Sequence, residues 1–302
     1  MKTLRDSGED ALIERLVRLV PRAADPAAGP GDDCAVIDRG TPDLLLLKTD
    51  ALVEHVHFLP VAPARAVGWK AAARVVSDFA AMGGTPEHFL VTLALPPETA
   101  ITWVEDLYRG IGDCLGKYGG YLAGGETSSV PTGSAAVISI AATGSVTRQH
   151  LVLRSTASPG DLLFVTGQLG GSLAGKHLDF TPRLREAAWL VAHFKPSAMM
   201  DLSDGLAKDL PRLATASRCG FTLKIDQLPL SAGCTPAQAL GDGEDFELLF
   251  AIAPSQARAL LDAWPFQEIL LTPIGEITLP GTLPSLAGGW EHFKRPLPAD
   301  PA

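Results

Sequence analysis

Hydrophobic residues recur along this chain with two periods, and their alternation outlines the fold. In EDALIERLVRLV (9–20) apolar positions return every three or four residues, which predicts an amphipathic helix. A Pro/Gly/Ala-rich loop then leads to GPGDDCAVID, which ends in an apolar run. DLLLLKTDALVEHVHFL (43–59) shows an apolar run, a polar break and an alternating segment, the pattern of strand, turn, strand. ARAVGWKAAARVVSDFAAMGG (64–84) predicts a long Ala-rich helix stopped by glycines. EHFLVTLALPP (87–97) reads as a buried strand that ends at prolines, and TWVEDLYRGIGDCLGKYG (102–119) as a helix. GYLAGGE (120–126) reads as a short strand and turn, and GSAAVISIAATGSV (133–146) as a further strand.

After about residue 150 the pattern restarts. DLLFVTG (161–167) is a predicted strand, SLAGKHL (172–178) the start of a helix, and 205–217 a second helix. FTLKIDQL (221–228), FELLFAI (246–252) and EILLTPIGEI (268–277) predict strands, with PSQARALLDAW (254–264) a helix between two of them. Helices and strands interleave in both halves, so the class is mixed α/β, in two domains that meet near 148–152.

Composition narrows the partners. The 302 residues carry 25 basic and 34 acidic side chains, a net charge of −9, which argues against nucleic acid or an anionic membrane as the main partner. No apolar run approaches the roughly 18 residues needed to cross a bilayer. The charged start MKTLRDSGEDALIERL does not resemble a signal peptide, so a cytoplasmic location is expected. Cys34, Cys114, Cys219 and Cys234 are scattered, with no C-x-x-C pair, and read as packing thiols.

The acids stand in unusual company. MDLSDGLAKDL (200–210) gathers Asp201, Ser203 and Asp204 where one helix-capping residue would do. Asp32 and Asp33 follow a Gly-Pro-Gly, and Asp50 follows an apolar run. At about 100° per residue Asp78 falls on the same helical stripe as Val67, Ala71, Val75 and Met82. A buried carboxylate there needs a partner: either Arg74, one turn earlier, or a cation. Glu126 follows two glycines, and GDGEDFELLF adds Asp242, Glu244 and Asp245 before a buried strand. Two like charges about 4 Å apart repel by about 4 kcal/mol at a surface-like dielectric, so such acids do not cluster unaided. Mg²⁺ takes oxygen ligands and bridges carboxylate to phosphate, so a phosphoryl-transfer site is the leading reading of these residues. Turn and capping chemistry explains each acid taken singly.

Two other patterns compete. GGSLAGKH (170–177) nearly matches a phosphate-binding P-loop, but His177 replaces the hydroxyl that should hold Mg²⁺. His55 and His57 in EHVHF could project from one strand face as in some metal-dependent hydrolases, yet zinc sites of that kind want more histidines.

GDDCAVI, KTDALVEHVHF, WKAAARVVSDFAAMGGTP, LAGGETS, LRSTASPGDLLFVTGQLGGSLAG, MDLSDGLAKDL and GDGEDFELLF occur in the order seen in the thiamine-monophosphate kinase family. That family belongs to the aminoimidazole-ribonucleotide synthetase superfamily, and the chain resembles it from about residue 8 to GWEHF (289–293). The resemblance implies ATP- and Mg²⁺-dependent phosphorylation of thiamine monophosphate to the diphosphate by direct in-line transfer. It implies an N-terminal domain (1–148) that binds ATP and Mg²⁺ and pairs its sheet with a second subunit in a homodimer. A C-terminal α/β domain (149–302) would complete the active site. Carried over position by position, Asp33, Thr49, Asp50, Asp78, Asp201 and Asp204 would be metal ligands, with Glu126 where Asp is usual. Asp50, Asp78 and Asp204 would carry catalysis. Tyr108, Gly125, Arg154 and Ser203 would meet ATP, and His57, Glu244 and Trp290 would hold the thiamine phosphate.

The chain also departs from the family pattern. Lys48 stands where Ser is usual, Val75 where Asn is common, and Gly-Asp-Gly-Glu-Asp replaces Gly-Gly-Glu-Asp. The segment between Gly175 and Lys195 is shorter than is typical of the family. These departures leave open a related ATP-using enzyme with another small substrate, or a weakly active nucleotide-binding paralogue.

Overall fold

The computed structural model describes residues 3–21, 30–281 and 283–293. The predicted Pro/Gly/Ala-rich loop lies largely outside them. Helices α1 (Leu4–Ser7) and α2 (Glu9–Val17) precede a sheet built from β1 (Ala35–Ile37), β2 (Asp43–Val53), β3 (Thr85–Leu95), β4 (Tyr121–Ser129) and β5 (Val137–Thr147). Helix α3 (Ala64–Ala81) joins β2 to β3, and α4 (Ile101–Tyr118) joins β3 to β4. The order across this sheet is β1-β2-β5-β3-β4; β3 and β4 run parallel, as a strand–helix–strand crossover requires, and the other pairs are antiparallel.

A second sheet is formed by β6 (Leu162–Thr166), β7 (Ala198–Asp201), β8 (Gly220–Leu223), β9 (Leu248–Ile252) and β10 (Leu271–Thr278), in the order β7-β9-β6-β10-β8. Helices α5 (Leu184–His193), α6 (Leu206–Ala216), α7 (Pro236–Gly241) and α8 (Pro254–Ala263) connect its strands.

Alternation along β5 sets the layers of the first sheet. Its even residues from Ile138 to Val146 are buried on the α3 side, while the odd ones are half-buried on the outer face. Leu90, Leu122 and Tyr121 are exposed on the neighbouring strands, and every residue of the edge strand β4 is exposed.

Helix α3 is buried almost all round. Fourteen of its 18 residues are buried, and Lys70, Ser77 and Asp78 among them face protein rather than water. Alanines and two close glycine contacts make this burial geometrically feasible. A Cβ built on Gly68 would lie 1.9 Å from the Leu107 carbonyl oxygen, and one on Gly110 would lie 1.8 Å from the Arg65 carbonyl oxygen. Only glycine lets α3 and α4 approach backbone to backbone in this way. One continuous core then runs from α3 residues such as Val76 and Phe79 to Leu190, Phe164 and Phe250 of the second unit.

Several expected elements take a different form. β2 is one unbroken strand through Lys48-Thr49-Asp50, paired with β5 from Asp43 to Val53, because the polar side chains find partners on α3. The stretch from Ser172 to Leu178 forms two short 3₁₀ turns rather than the start of an α-helix. The predicted strand 221–228 stops at Leu223 and continues as a 3₁₀ turn. The first long helix ends at Val17.

Candidate active site

One face of α3 carries Lys70, Arg74, Ser77 and Asp78, which reach Glu244, Asp50, Asp201 and Lys48 respectively. Period-two alternation on β2 turns Lys48 and Asp50 toward that helix, in register with Ala142 and Ile140 of β5. Asp201 ends β7, and Asp33 lies just before β1. Asp33, Asp78 and Asp201 are all buried, and each offers an oxygen within 4.8 Å of the others.

These acids are partnered by cations and by one hydroxyl. Lys48 Nζ donates to Asp78 Oδ1 at 2.7 Å, and Ser77 Oγ donates to Asp201 Oδ2 at 2.5 Å. Arg154 grips Asp33 with two nitrogens, Nε reaching Oδ2 at 3.1 Å and Nη2 meeting Oδ1, while its backbone N–H donates to Asp32 Oδ1 at 2.6 Å. The i, i+4 pair of Arg74 with Asp78 does not form; Arg74 Nε instead lies 3.1 Å from Asp50 Oδ2. That contact is electrostatic, since the Nε–H finds no hydrogen-bond acceptor, while Nη1 donates to the Ala51 carbonyl at 3.2 Å.

The cluster is short of positive charge. Burial pushes the Asp78 carboxyl well above the usual range, Lys48 pulls it back, and Asp201, Asp50 and Asp33 push it further up. Burial, with Asp33 adding, raises Asp201 to about 7. A buried set of carboxylate oxygens with excess negative charge suits a hard divalent ion such as Mg²⁺. The residues therefore fit the metal that the resemblance implies.

The turn from Ser203 to Gly205 opens α6. Buried Asp209 holds it by accepting the N–H groups of Asp204 at 3.0 Å and Gly205 at 3.1 Å. Burial, with Asp204 adding, pushes Asp209 up to about 8. Asp204 goes the other way. Burial opposes its charge, but Lys208 at 3.0 Å and Arg212 at 2.7 Å outweigh that and keep its carboxyl below the usual value.

A cavity of about 590 Å³ opens beside this turn, with His57, Arg74, Ser203, Asp204, Glu244 and Trp290 in its wall. Glu244 adopts a left-handed backbone (φ 53°) and donates its N–H to the Ser203 carbonyl at 2.7 Å, which ties the two motifs together. Its carboxylate meets Lys70 Nζ at 2.8 Å and His177 Nδ1 at 3.3 Å. Burial raises its pKa, yet His177, Lys70 and Arg74 together bring it down to about 2. His57 Nδ1 accepts the Val53 N–H at 3.0 Å, and burial lowers this ring to about 4. His57 is thus neutral at physiological pH with its proton on Nε2. Trp290 is anchored by its N–H to the Asp204 carbonyl at 2.7 Å, and its indole N–H donates to His292 Nδ1 at 3.2 Å.

Not every predicted residue joins this group within one chain. Thr49 lies on the outer face of the first sheet, because it alternates with Asp50. Glu126 pairs with exposed Thr92 on the same outer face, three strands away from β2, beside Gly125 on the edge strand. Tyr108 packs on α4 against the first core, outside the cavity wall. The P-loop reading fails in structural terms, since the N–H groups of Gly170 and Gly171 are taken by Asp245 and Asp242. Lys70, Ser77 and Asp209 join the site without having been expected there, and His177 does so as a partner of Glu244 rather than in a P-loop. Charged residues at 70, 74 and 78 on an otherwise alanine-rich helix were the available signal.

The fold and site define an AIR synthase related protein. Residues 31–146 match the AIR synthase related protein N-terminal domain, and 158–282 match the C-terminal domain. Among curated proteins, the thiamine-monophosphate kinase of Rhodopirellula baltica is 41% identical over 285 aligned positions, covering 88% of this chain and 87% of that protein. The Synechococcus elongatus thiamine-monophosphate kinase is 33% identical over 330 aligned positions, covering 97% and 98%. The solved structure of AaThiL complexed with AMPPCP and TMP superposes with a TM-score of 0.84 at 30% identity, covering 97% of this chain and 99% of that one. The chain belongs to the thiamine-monophosphate kinase family.

Proposed function

We propose that this chain transfers the terminal phosphate of ATP to the phosphate of thiamine monophosphate, giving thiamine diphosphate and ADP. The carrying observation is the shared wall of the 590 Å³ cavity. Ser203 and Asp204, beside the acid cluster, line the same space as His57, Glu244 and Trp290. On this reading the Glu244–Trp290 end takes the thiamine moiety, for whose cationic thiazolium ring an ionised carboxylate and an indole face are suited. The phosphate end faces Arg74 and Asp204, with Asp50 paired to Arg74. In the transfer, a phosphate oxygen of thiamine monophosphate forms a bond to the terminal phosphorus of ATP as the bond to ADP breaks. Mg²⁺, held by Asp33, Asp78 and Asp201, would offset charge on the phosphates. No protein nucleophile is needed, so the chain's own residues contribute positioning and electrostatics.

The same reading includes a homodimer. The uncovered outer face of the first sheet, with exposed Leu90, Leu122 and Tyr121 and a free β4 edge, is the surface a second copy would cover. Sedimentation of the chain tests this, a monomer at all concentrations being the contrary result. For the activity, purified protein is incubated with ATP, Mg²⁺ and thiamine monophosphate, with free thiamine and aminoimidazole precursors alongside. Diphosphate from thiamine monophosphate alone is the expected result. Turnover of another acceptor in its place, or of none, would overturn the assignment.

A further inference from the structure

The acid cluster carries cations of its own. Lys48 on β2 and Arg74 on α3 reach into it from facing elements, with side chains only 21% and 14% exposed. Lys48 sits 2.7 Å from Asp78, one of the three carboxylates whose oxygens converge, and Arg74 sits 3.1 Å from Asp50. An ammonium so placed is a fixed monovalent charge that no chelator removes, and a divalent ion seeking the same Asp78 oxygen must displace it.

We propose that Lys48 and Arg74 are built-in counter-cations of this site. They neutralise Asp78 and Asp50 in the metal-free chain and leave the Asp33–Asp78–Asp201 cradle to bind a divalent ion. The chain accordingly binds one divalent cation fewer than it would with a neutral side chain at position 48. Asp201 and Asp33 lack a lysine of this kind. Among the described residues Asp201 accepts from the Ser77 hydroxyl, and Arg154 takes both oxygens of Asp33, so the three carboxylates face two cations, Lys48 and Arg154, and the cradle still calls for a cation. The two charges also come from the two elements that must pack together. Each bridges β2 to α3, which holds the cluster in shape before any ligand arrives.

The inference rests on reading this cluster as a phosphoryl-transfer centre, but its test counts cations and needs no turnover. Mn²⁺ is titrated into the full chain without nucleotide and bound ion is followed by its spin-resonance signal, for the parent, Lys48→Ser and Lys48→Arg. Lys48→Ser is expected to bind one more Mn²⁺ per chain than the parent, and Lys48→Arg the parental number. Melting is then compared in chelator and in saturating Mg²⁺. Mg²⁺ should raise the Tm of Lys48→Ser by about 5 °C more than that of the parent. Equal Mn²⁺ counts together with equal Mg²⁺ shifts would overturn the proposal. Should Lys48→Ser fail to fold in both conditions, Lys48→Gln, closer in size, is judged by the same two criteria.

Discussion

Replacing Lys70 with methionine isolates the energetics of the cavity's charged wall. The Lys70 ammonium is fully buried; it donates to the His57 carbonyl at 2.6 Å and to Glu244 at 2.8 Å, and His177 Nδ1 lies 2.7 Å away. Burial nevertheless draws Lys70 down to about 8, with Glu244 pulling the other way. A lysine that releases its proton near 8 when folded and near 10.5 when unfolded opposes folding by about 3 kcal/mol at pH 7. Between those two values the unfolded chain keeps a proton the folded chain has lost, so stability climbs with pH. The handicap falls to roughly 1 kcal/mol by pH 10. Lys70→Met removes it at every pH. Breaking one side of a buried pair costs about 3–5 kcal/mol, which nearly cancels the relief at pH 7, so the slope rather than the absolute value is diagnostic. Denaturant unfolding at pH 7, 8, 9 and 10 should show the variant losing about 2–3 kcal/mol relative to the parent across the series. Its KM for thiamine monophosphate should also rise about 10–100-fold, the worth of a charged hydrogen bond that aims Glu244. Parallel stability curves would refute the claim that a charged lysine is held in this wall against its own desolvation.

Other perturbations test separate parts of the account. Trp290→Ala should weaken thiamine monophosphate by roughly tenfold while leaving ATP within about threefold, as read by titration calorimetry. Equal loss for both ligands would remove the indole from the substrate end. Gly110→Ala places a methyl against the Arg65 carbonyl and should cost about 1–3 kcal/mol in denaturant unfolding, whereas Gly112→Ala, with open space around it, should cost nothing or stabilise. Indistinguishable midpoints for the two would contradict the backbone contact of α3 with α4.

Much of this was legible in the chain because period and chemistry coincide. The alternation in 137–147 specifies which face is buried, and the structure buries it, whereas the stripe in 64–81 specifies a helix that the structure buries almost all round. Asp201, Ser203 and Asp204 stood out because a strand end and a helix start present them together, and both structural jobs are real: Asp209 holds the turn while Asp204 lines the cavity. What could not be read was pairing across the fold. Lys48 and Asp50 looked like a turn because a polar break in a strand usually is one. Their partners, Asp78 and Arg74, lie on an element that only tertiary packing brings alongside. Lys70 was hidden for the same reason. A lysine on an alanine-rich helix is ordinarily solvated, and only the packing of His57, His177 and Glu244 over this face of α3 closes water away from it. Thr49 shows the converse limit, since adjacency to Asp50 in sequence means opposite faces in a strand.

The central claim is that acids from both sheets serve phosphoryl transfer rather than packing. It is tested most directly by the rate at which Asp204→Asn forms thiamine diphosphate from ATP, Mg²⁺ and thiamine monophosphate. Arg212 keeps Asp10 at 2.9 Å and Lys208 keeps Glu9 at 2.9 Å in this variant, so the fold has other ties at that turn. The account predicts a kcat at least about 100-fold below the parent with melting unchanged within a few degrees; a parental rate would contradict it.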